Sequence, residues 1–436
     1  MLNIGTVKEK ADEVQRAADR KGIRLNVAEL LEIDGRRRAL IAETESLRAE
    51  RNSLAQRIAE LARGGTSPAE AGDGTGEAEI LKTDARRVND RLKLAEADLA
   101  ETRGRYEELM RIVPNLVSPD TPDGASDADN AEVRRFGEPR KAEFALRDHI
   151  ALGELHDMVD LARGVKAAGT RNYYLKGAGV RLHRAVQQLA LDLLAAKGFE
   201  LFEVPLMVRP ETLEHSGFFP LGEDQVFRIE EERKCLIGTS EVPLVAYYAN
   251  EIVDVTEPIR LAAASMCFRS EIGSAGRDVH GLYRVHQFAK VEQVLLCEAD
   301  AGVSERLLQE ITANAEELLR LLELPYRVVA VCAGDMSQKT YKQYDIETWM
   351  PSRGAYGETH SSSNLLDFQA RRSNIRYRDA HGELRFCHTL NNTAVASPRI
   401  LIPILENHQE EDGSVRIPEA LRPYLGGIER LAPPGP

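Results

Sequence analysis

Three stretches of this 436-residue chain concentrate the residue types that handle phosphates, carboxylates and hard metal ions. The first is 267–292, CFRSEIGSAGRDVHGLYRVHQFAKVE. Arg269 and Glu271 flank Ser270 in a strand-like context, and a period of two puts both on one face. A loop of small and polar residues follows. An alternating run comes next, Tyr283, Val285 and Gln287 against Arg284, His286 and Phe288, and Glu292 closes it. Two antiparallel strands joined by a long loop can hold a planar nucleotide, and arginine's planar fork suits a phosphate. The plainer alternative is a cross-strand ion pair. The second stretch is 356–372, YGETHSSSNLLDFQARR, where Glu358 and Ser361 offer the oxygen donors that Mg²⁺ prefers; a polar turn capping a strand is its plainer alternative. In the third, 388–407, Asn391, Asn392 and Thr393 precede an apolar, helix-like segment containing Arg399. An arginine in such a segment is costly to bury without an anion, from either a protein carboxylate or a ligand phosphate.

Elements able to position these residues are visible around them. From about residue 141, helical patterns (176–197, 303–323) alternate with β-rich runs at 199–208, 291–297 and 326–333. The runs lack a regular βαβ rhythm, which favours an antiparallel sheet with flanking helices. Neither G-x-x-x-x-G-K-[ST] nor a helix-opening G-x-G-x-x-G is present. Residues 28–113 differ: Leu40, Leu47, Leu54 and Leu61 recur every seven residues, with Ile33 one heptad earlier. After the glycine-rich break at 64–76, the spacing resumes through Leu81, Ala85, Val88, Leu92, Ala95, Leu99, Thr102, Tyr106, Leu109 and Val113. Intervals of four and three keep one seam facing a partner helix, and Pro114 ends the second segment. The pattern predicts an antiparallel coiled-coil hairpin, whose plain uses are dimerisation or spacing. Arginines such as Arg36, Arg48, Arg57, Arg86 and Arg91 are interleaved with acids along it. Residues 115–140, rich in Pro, Asp, Gly and Ser, read as a linker.

Composition narrows the function classes. Hydrophobic residues make up 43% of the chain and the formal charge is −13, so it has a core and does not coat nucleic acid by bulk charge. The five cysteines lie far apart without a C-x-x-C pair, against a disulfide framework and for a reducing, cytoplasmic setting. No apolar run reaches the ~18 residues of a membrane span, and the first residues carry no signal-peptide core.

Taken in order, the motifs resemble those of class II aminoacyl-tRNA synthetases. GFELFEVPLMV (198–208) resembles motif 1, with Pro205 at the position that packs at the dimer interface. FRSE…RVHQFAKVE resembles motif 2, and TLNNTAVASPRILIPILEN resembles motif 3. With TSEVPL (239–244) and the N-terminal hairpin, the wording is similar to the seryl-tRNA synthetase family. The resemblance implies an α+β fold, an antiparallel-sheet class II catalytic domain with flanking helices. It implies residues 1–114 as a tRNA-binding domain with a long coiled-coil arm, 115–140 as linker and 141–436 as catalytic domain. It also implies activation of L-serine with ATP and transfer to the 3′ end of tRNA(Ser), with tRNA(Sec) also served, in a homodimer that uses Mg²⁺ and no zinc.

Roles carry over by resemblance. Arg269 would hold the ATP α-phosphate and the serine carboxylate, and Ser270, Glu271 and Val285 would line the nucleotide. Thr239, Ser240 and Glu241 would bind around the serine amino group, Glu292 the hydroxyl or ammonium, and Asn391 and Thr393 would close that pocket. Glu358 and Ser361 would ligate Mg²⁺, Thr359 and His360 lie in the same ATP segment, and Arg399 would clamp the γ-phosphate. Ser240 stands where alanine is usual, Thr393 where serine is common, Thr359-His360 in an E-I-S-S-like segment, and Ser397-Pro398 where V-G is frequent. The arm would read the shape of the tRNA's long variable arm through its backbone. Two other readings stand beside this one. A ligase loading a carrier protein would lack the hairpin, and a silent scaffold would have lost the motif arginines and glutamates, which are all present.

Overall fold

A computed structural model describes residues 2–63, 74–272 and 280–433. The chain separates into two compact units, one made of Asn3–Gln15 and Arg24–Val113, the other including Arg16–Ile23 and everything from Pro114 onward.

The first unit is dominated by two long helices, α1 (Val27–Arg63) and α2 (Gly74–Arg111). Leu40, Leu47 and Leu54 of α1 are buried with Leu81, Val88, Leu92, Ala95 and Leu99 of α2, the seam that the four-three spacing predicts. Arg105–Glu29, Arg48–Glu96 and Arg57–Glu77 ion pairs join the helices, with numbers rising on one as they fall on the other, so the pair is antiparallel. Of the expected break at 64–76, residues 64–73 lie outside the described residues, and α2 already begins at Gly74. The seam departs from the heptad near its base. Ile33 is only half-buried and Asp34 takes the inward position at 2% exposure. Its carboxylate meets Arg37 at 2.7 Å and Arg38 at 3.0 Å, and the Arg37 guanidinium lies 4.3 Å from the Tyr106 ring centre. A buried charge persists where partners this close compensate it.

The second unit is built on an eight-stranded sheet. Its strands are β1 (Ala131–Phe136), β2 (Glu200–Phe202), β3 (Ile259–Phe268), β4 (Gln287–Cys297), β5 (Tyr326–Ala330), β6 (Lys342–Met350), β7 (Ala355–Asn364) and β8 (His388–Ser397). The order across the sheet is β1-β5-β6-β7-β8-β4-β3-β2. Every neighbouring pair is antiparallel except β2–β3. Helices α3 (Gly177–Ala196) and α4 (Ala301–Leu321) share one apolar core with Val291, Leu295, Ile346, Leu390 and Val395 from one face of the sheet. Leu261, Ala263, Val294 and Leu296 face the other way, into a second core. The site occupies that second face, beside this core.

Three expectations need correction. Residues 115–140 are not merely a linker: Asn115, Ser118 and Thr121 are buried, and Ala131–Phe136 is the edge strand β1. Its sequence, AEVRRF, carries the charges with which edge strands resist further pairing, so apolar alternation is missing. The 199–208 run splits into β2 and a separate Met207–Val208 strand. Arg399 is not inside a helix; it sits in the turn between β8 and α5 (Leu401–His408), with the Glu358 carboxylate 3.6 Å from its guanidinium.

Leu47→Ala, in the seam at 3% exposure, is expected to destabilise the hairpin by about 2–4 kcal/mol, and Leu94→Ala, at 70% exposure on α2, by less than about 0.5 kcal/mol. Urea unfolding followed by far-UV circular dichroism checks both; equal shifts would remove the seam as the source of the hairpin's stability.

Candidate active site

Strands β4 and β8 run side by side in the middle of the sheet, with Asn391 opposite Val294 and Thr393 opposite Glu292. The two-residue period sends Lys290 and Glu292 to the same face. Asn391 and Thr393 meet them there. Glu292, fully buried, lies 2.6 Å from Lys290 Nζ; Asn391 Nδ2 donates to its Oε1 at 3.0 Å and Thr393 Oγ1 to its Oε2 at 3.3 Å. Asn391 Oδ1 is buried without a hydrogen-bond partner, an acceptor left open beside the carboxylate. From the helix face the same strands are locked by Gln293, which donates to Asn392 Oδ1 and accepts from Asn314 of α4. Sequence reading brought Glu292, Asn391 and Thr393 to one pocket; Lys290 was missed as a member, although its place two residues before Glu292 was the available signal.

Next to this cluster is a cleft lined by Arg269, Glu271, Val285, Phe288, Glu358, Thr393 and Arg399, among others. The Arg269 guanidinium lies 5.4 Å from the Phe288 ring centre, and its Nε donates to Gly238 O at 3.4 Å. Arg269 is therefore next to the Thr239–Glu241 segment. Strand β3 ends at Phe268, and Glu271 has a φ of +52°, so the expected period of two does not carry through 269–271. Glu271 instead meets Arg284 at 2.7 Å. The expected strand at 283–286 is absent too, since β4 begins at Gln287. Of the loop expected between the two strands, residues 273–279 lie outside the described residues. Ser270 is turned away, its Oγ donating to Asp224 O at 2.5 Å.

Tyr283 organises the far end of the cleft. Its carbonyl accepts from Arg399 Nε at 2.9 Å, and the Arg399 guanidinium lies 4.4 Å from its ring centre. Tyr283 Oη and Arg399 NH1 both donate to Glu358 O, at 3.2 and 3.1 Å. The Glu358 carboxylate is about half exposed and 3.6 Å from Arg399. Residues three apart on a strand ordinarily face opposite sides. On β7 the register shifts at Thr359, so Glu358 pairs with Glu347, and Ser361 with Asp345 two residues earlier on β6. That bulge puts Glu358 and Ser361 on one face. Asp345, buried beside Ser361, was missed by sequence reading; burial and then the charge of Glu358 push its carboxyl well above the usual range. Thr359 and His360 are tied to each other: Thr359 Oγ1 lies 2.7 Å from His360 Nδ1 and 2.6 Å from Thr348 Oγ1. Burial pushes the His360 ring down to about 3, so it is neutral near pH 7.

The 239–241 segment is fully buried. Ser240 Oγ donates to Ala263 O, Glu241 N–H donates to Thr239 Oγ1 at 3.3 Å, and the Glu241 carboxylate already accepts from Lys339 and Gln369. These contacts tie Ser240 to Ala263, the residue opposite Glu292 on β3, and give Glu241 protein partners of its own. Among the described residues, no helix is long and apolar enough to cross a membrane, and no group of three or more His, Cys, Asp or Glu side chains forms a metal cage.

Residues 1–117 match the family model described as the seryl-tRNA synthetase N-terminal domain, and 225–408 match the class II tRNA synthetase core domain of the G, H, P, S and T enzymes. A serine–tRNA ligase of Deinococcus radiodurans is 43% identical over 435 residues, covering 100% of both chains. One from Thermomicrobium roseum is 42% identical, covering 99% of this chain and 95% of its own. The crystal structure of a Pyrococcus horikoshii seryl-tRNA synthetase complexed with ATP superposes with a TM-score of 0.87 at 37% identity over 100% of each chain.

The raised carboxyl of Asp345 has a consequence for stability. It keeps its proton in the folded chain at pH values where the unfolded chain has lost it, so stability falls as pH climbs from about 4. Asp345→Asn has no such slope. Without divalent ions, its thermal midpoint is expected to gain on the parent over the range in which pH rises above about 4. A difference that stays constant across that range would contradict the assignment.

Proposed function

The chain belongs to the seryl-tRNA synthetase family of serine–tRNA ligases, and from that premise we propose how its residues divide the work. Serine binds at the Glu292 cluster, with its ammonium and hydroxyl toward Glu292, Asn391, Thr393 and Thr239, and its carboxylate toward Arg269. ATP occupies the adjoining cleft, its base near Glu271 and Val285 and its phosphates running from Arg269 to Arg399. A serine carboxylate oxygen then attacks the α-phosphorus in line; the bond to the bridging oxygen breaks and pyrophosphate leaves toward Arg399. No covalent enzyme intermediate is needed, so positioning and charge neutralisation by fixed arginines carry the rate. The tRNA 3′-terminal hydroxyl then attacks the seryl carbonyl and releases AMP.

The observation that carries this reading is the convergence on Glu292: a buried carboxylate, two neighbouring hydrogen-bonding side chains and one open acceptor, next to an arginine-bearing cleft. A site built to hydrogen-bond a hydroxyl rejects alanine strongly, because its own polar groups would be left unpaired.

Magnesium is part of the proposal. Glu358, Ser361 and the buried Asp345 offer hard oxygen donors on one face, and burial, with the charge of Glu358 second, keeps the proton on Asp345. Mg²⁺ typically takes one or two carboxylates plus substrate phosphates, which suits a donor set this small. When bound, it would supply charge neutralisation on the phosphate oxygens. We further infer that the chain works as a homodimer in the cytoplasm, that α1 and α2 carry the tRNA(Ser) contact, and that tRNA(Sec) is served as well. Five free, buried cysteines fit a reducing compartment.

Exchange of labelled pyrophosphate into ATP, run across all twenty amino acids without tRNA, tests the activation step. Exchange with serine alone is expected. Deleting residues 34–110 is expected to leave that exchange within about threefold and to abolish transfer to tRNA. Exchange with no amino acid would overturn the reading.

A further inference from the structure

We propose that Lys339, anchored by Lys21, is a positioning residue for amino-acid recognition; this rests on the reading of the site as serine-activating. The observation is a second buried ion pair adjoining Lys290–Glu292. Glu241 opens the short helix Glu241–Tyr247, two residues after Thr239. Its Oε1 lies 2.5 Å from Lys339 Nζ, and Gln369 Nε2 donates to the same oxygen at 2.6 Å. Gln369 is itself fixed, donating to Ser216 O and accepting from Thr389 Oγ1. The charges of Glu292 and Lys290 act on Lys339 as well, so two lysines and two glutamates share one buried neighbourhood.

Such a group is stable only when each charge is matched. Stripped of Lys339, Glu241 would be an uncompensated buried carboxylate. It would draw the substrate's ammonium away from Glu292, or take up a proton and lose its hold on the start of its helix, where its backbone N–H meets Thr239 Oγ1. With Lys339 in place the two pairs cancel, and the pocket meets a zwitterionic amino acid with its charges already balanced.

Lys339 lies in a turn shortly before β6, and that loop is held from behind. Lys21 Nζ lies within donating distance of Ser337 O, Gln338 O and Thr340 O, at 3.2, 3.2 and 2.5 Å. Asn115 Nδ2 donates to Lys339 O at 3.0 Å, and the Phe218 ring centre is 4.1 Å from Lys339 Nζ. A residue near the start of the chain thereby holds the loop whose lysine balances the amino-acid pocket. Neither lysine lines the adjoining cleft, so the effect belongs to serine and not to ATP.

The test is pyrophosphate exchange with serine varied at saturating ATP, and ATP varied at saturating serine. Lys339→Met is expected to raise the serine KM about tenfold or more while the ATP KM stays within about twofold. Lys21→Met is expected to move the same parameter in the same direction by a smaller factor. Lys339→Met combined with Glu241→Gln should lie closer to the parent than Lys339→Met alone, because the orphaned charge is gone. A purely structural lysine would lower the thermal midpoint and leave the serine KM alone, or raise both KM values together; either result overturns the proposal. If Lys339→Met does not fold, Lys21→Met decides by the same criterion. A parent enzyme without serine-dependent exchange would instead remove the functional reading, and this proposal with it.

Discussion

Burying Glu292 is the constraint to which the centre of this molecule answers. A carboxylate at 0% exposure is tolerable only with a cation and hydrogen-bond donors in place. Lys290 supplies the cation from the same strand, and the register of β8 against β4 brings Asn391 and Thr393 to the same spot. A slip of β8 by one residue would turn Asn391 and Thr393 to the apolar helix side. That slip is opposed by the Gln293–Asn392–Asn314 network behind the sheet and by the Val291, Leu295 and Val395 core around it. The helices of the second unit thus fix the register on which the pocket depends.

The side proposed to hold the phosphates is organised by different means. Arg399 comes from the turn after β8 and Glu358 from within β7, and Tyr283 joins them through its carbonyl, ring and hydroxyl. Fixing a guanidinium in this way lowers the entropy lost when it meets a phosphate. The β7 bulge performs a similar service for Glu358 and Ser361, whose spacing alone would leave them on opposite faces. One half of the site is held by sheet register, and the other by loops tied back with named side chains.

Much of this was legible in the sequence, for reasons that differ by element. The hairpin showed itself because its signal is local and periodic; Asp34 escaped because a charged residue in the seam violates the apolar rule that reveals a seam. The edge strand β1 escaped because edge strands carry charge where interior strands carry apolar alternation. Glu292, Asn391 and Thr393 were found through motif wording. Lys339 and Lys21 were invisible because their partners lie 98 and more than 300 residues away. Spacing cannot report a contact made only by the folded chain. Asp345 has the same character: its carboxyl matters only because β6 lies against β7.

If Glu292 and its neighbours read a hydroxyl, the most direct measurement is calorimetric titration with two non-hydrolysable adenylate analogues, one carrying serine and one alanine. The serine analogue should bind on the order of 10³-fold or more tightly than the alanine analogue, since the latter leaves buried polar groups unpaired. Glu292→Gln should shrink that ratio while the affinity for ATP alone holds. Two analogues binding the parent protein within about tenfold of one another would contradict the central claim, because an apolar pocket of the same size would discriminate as well.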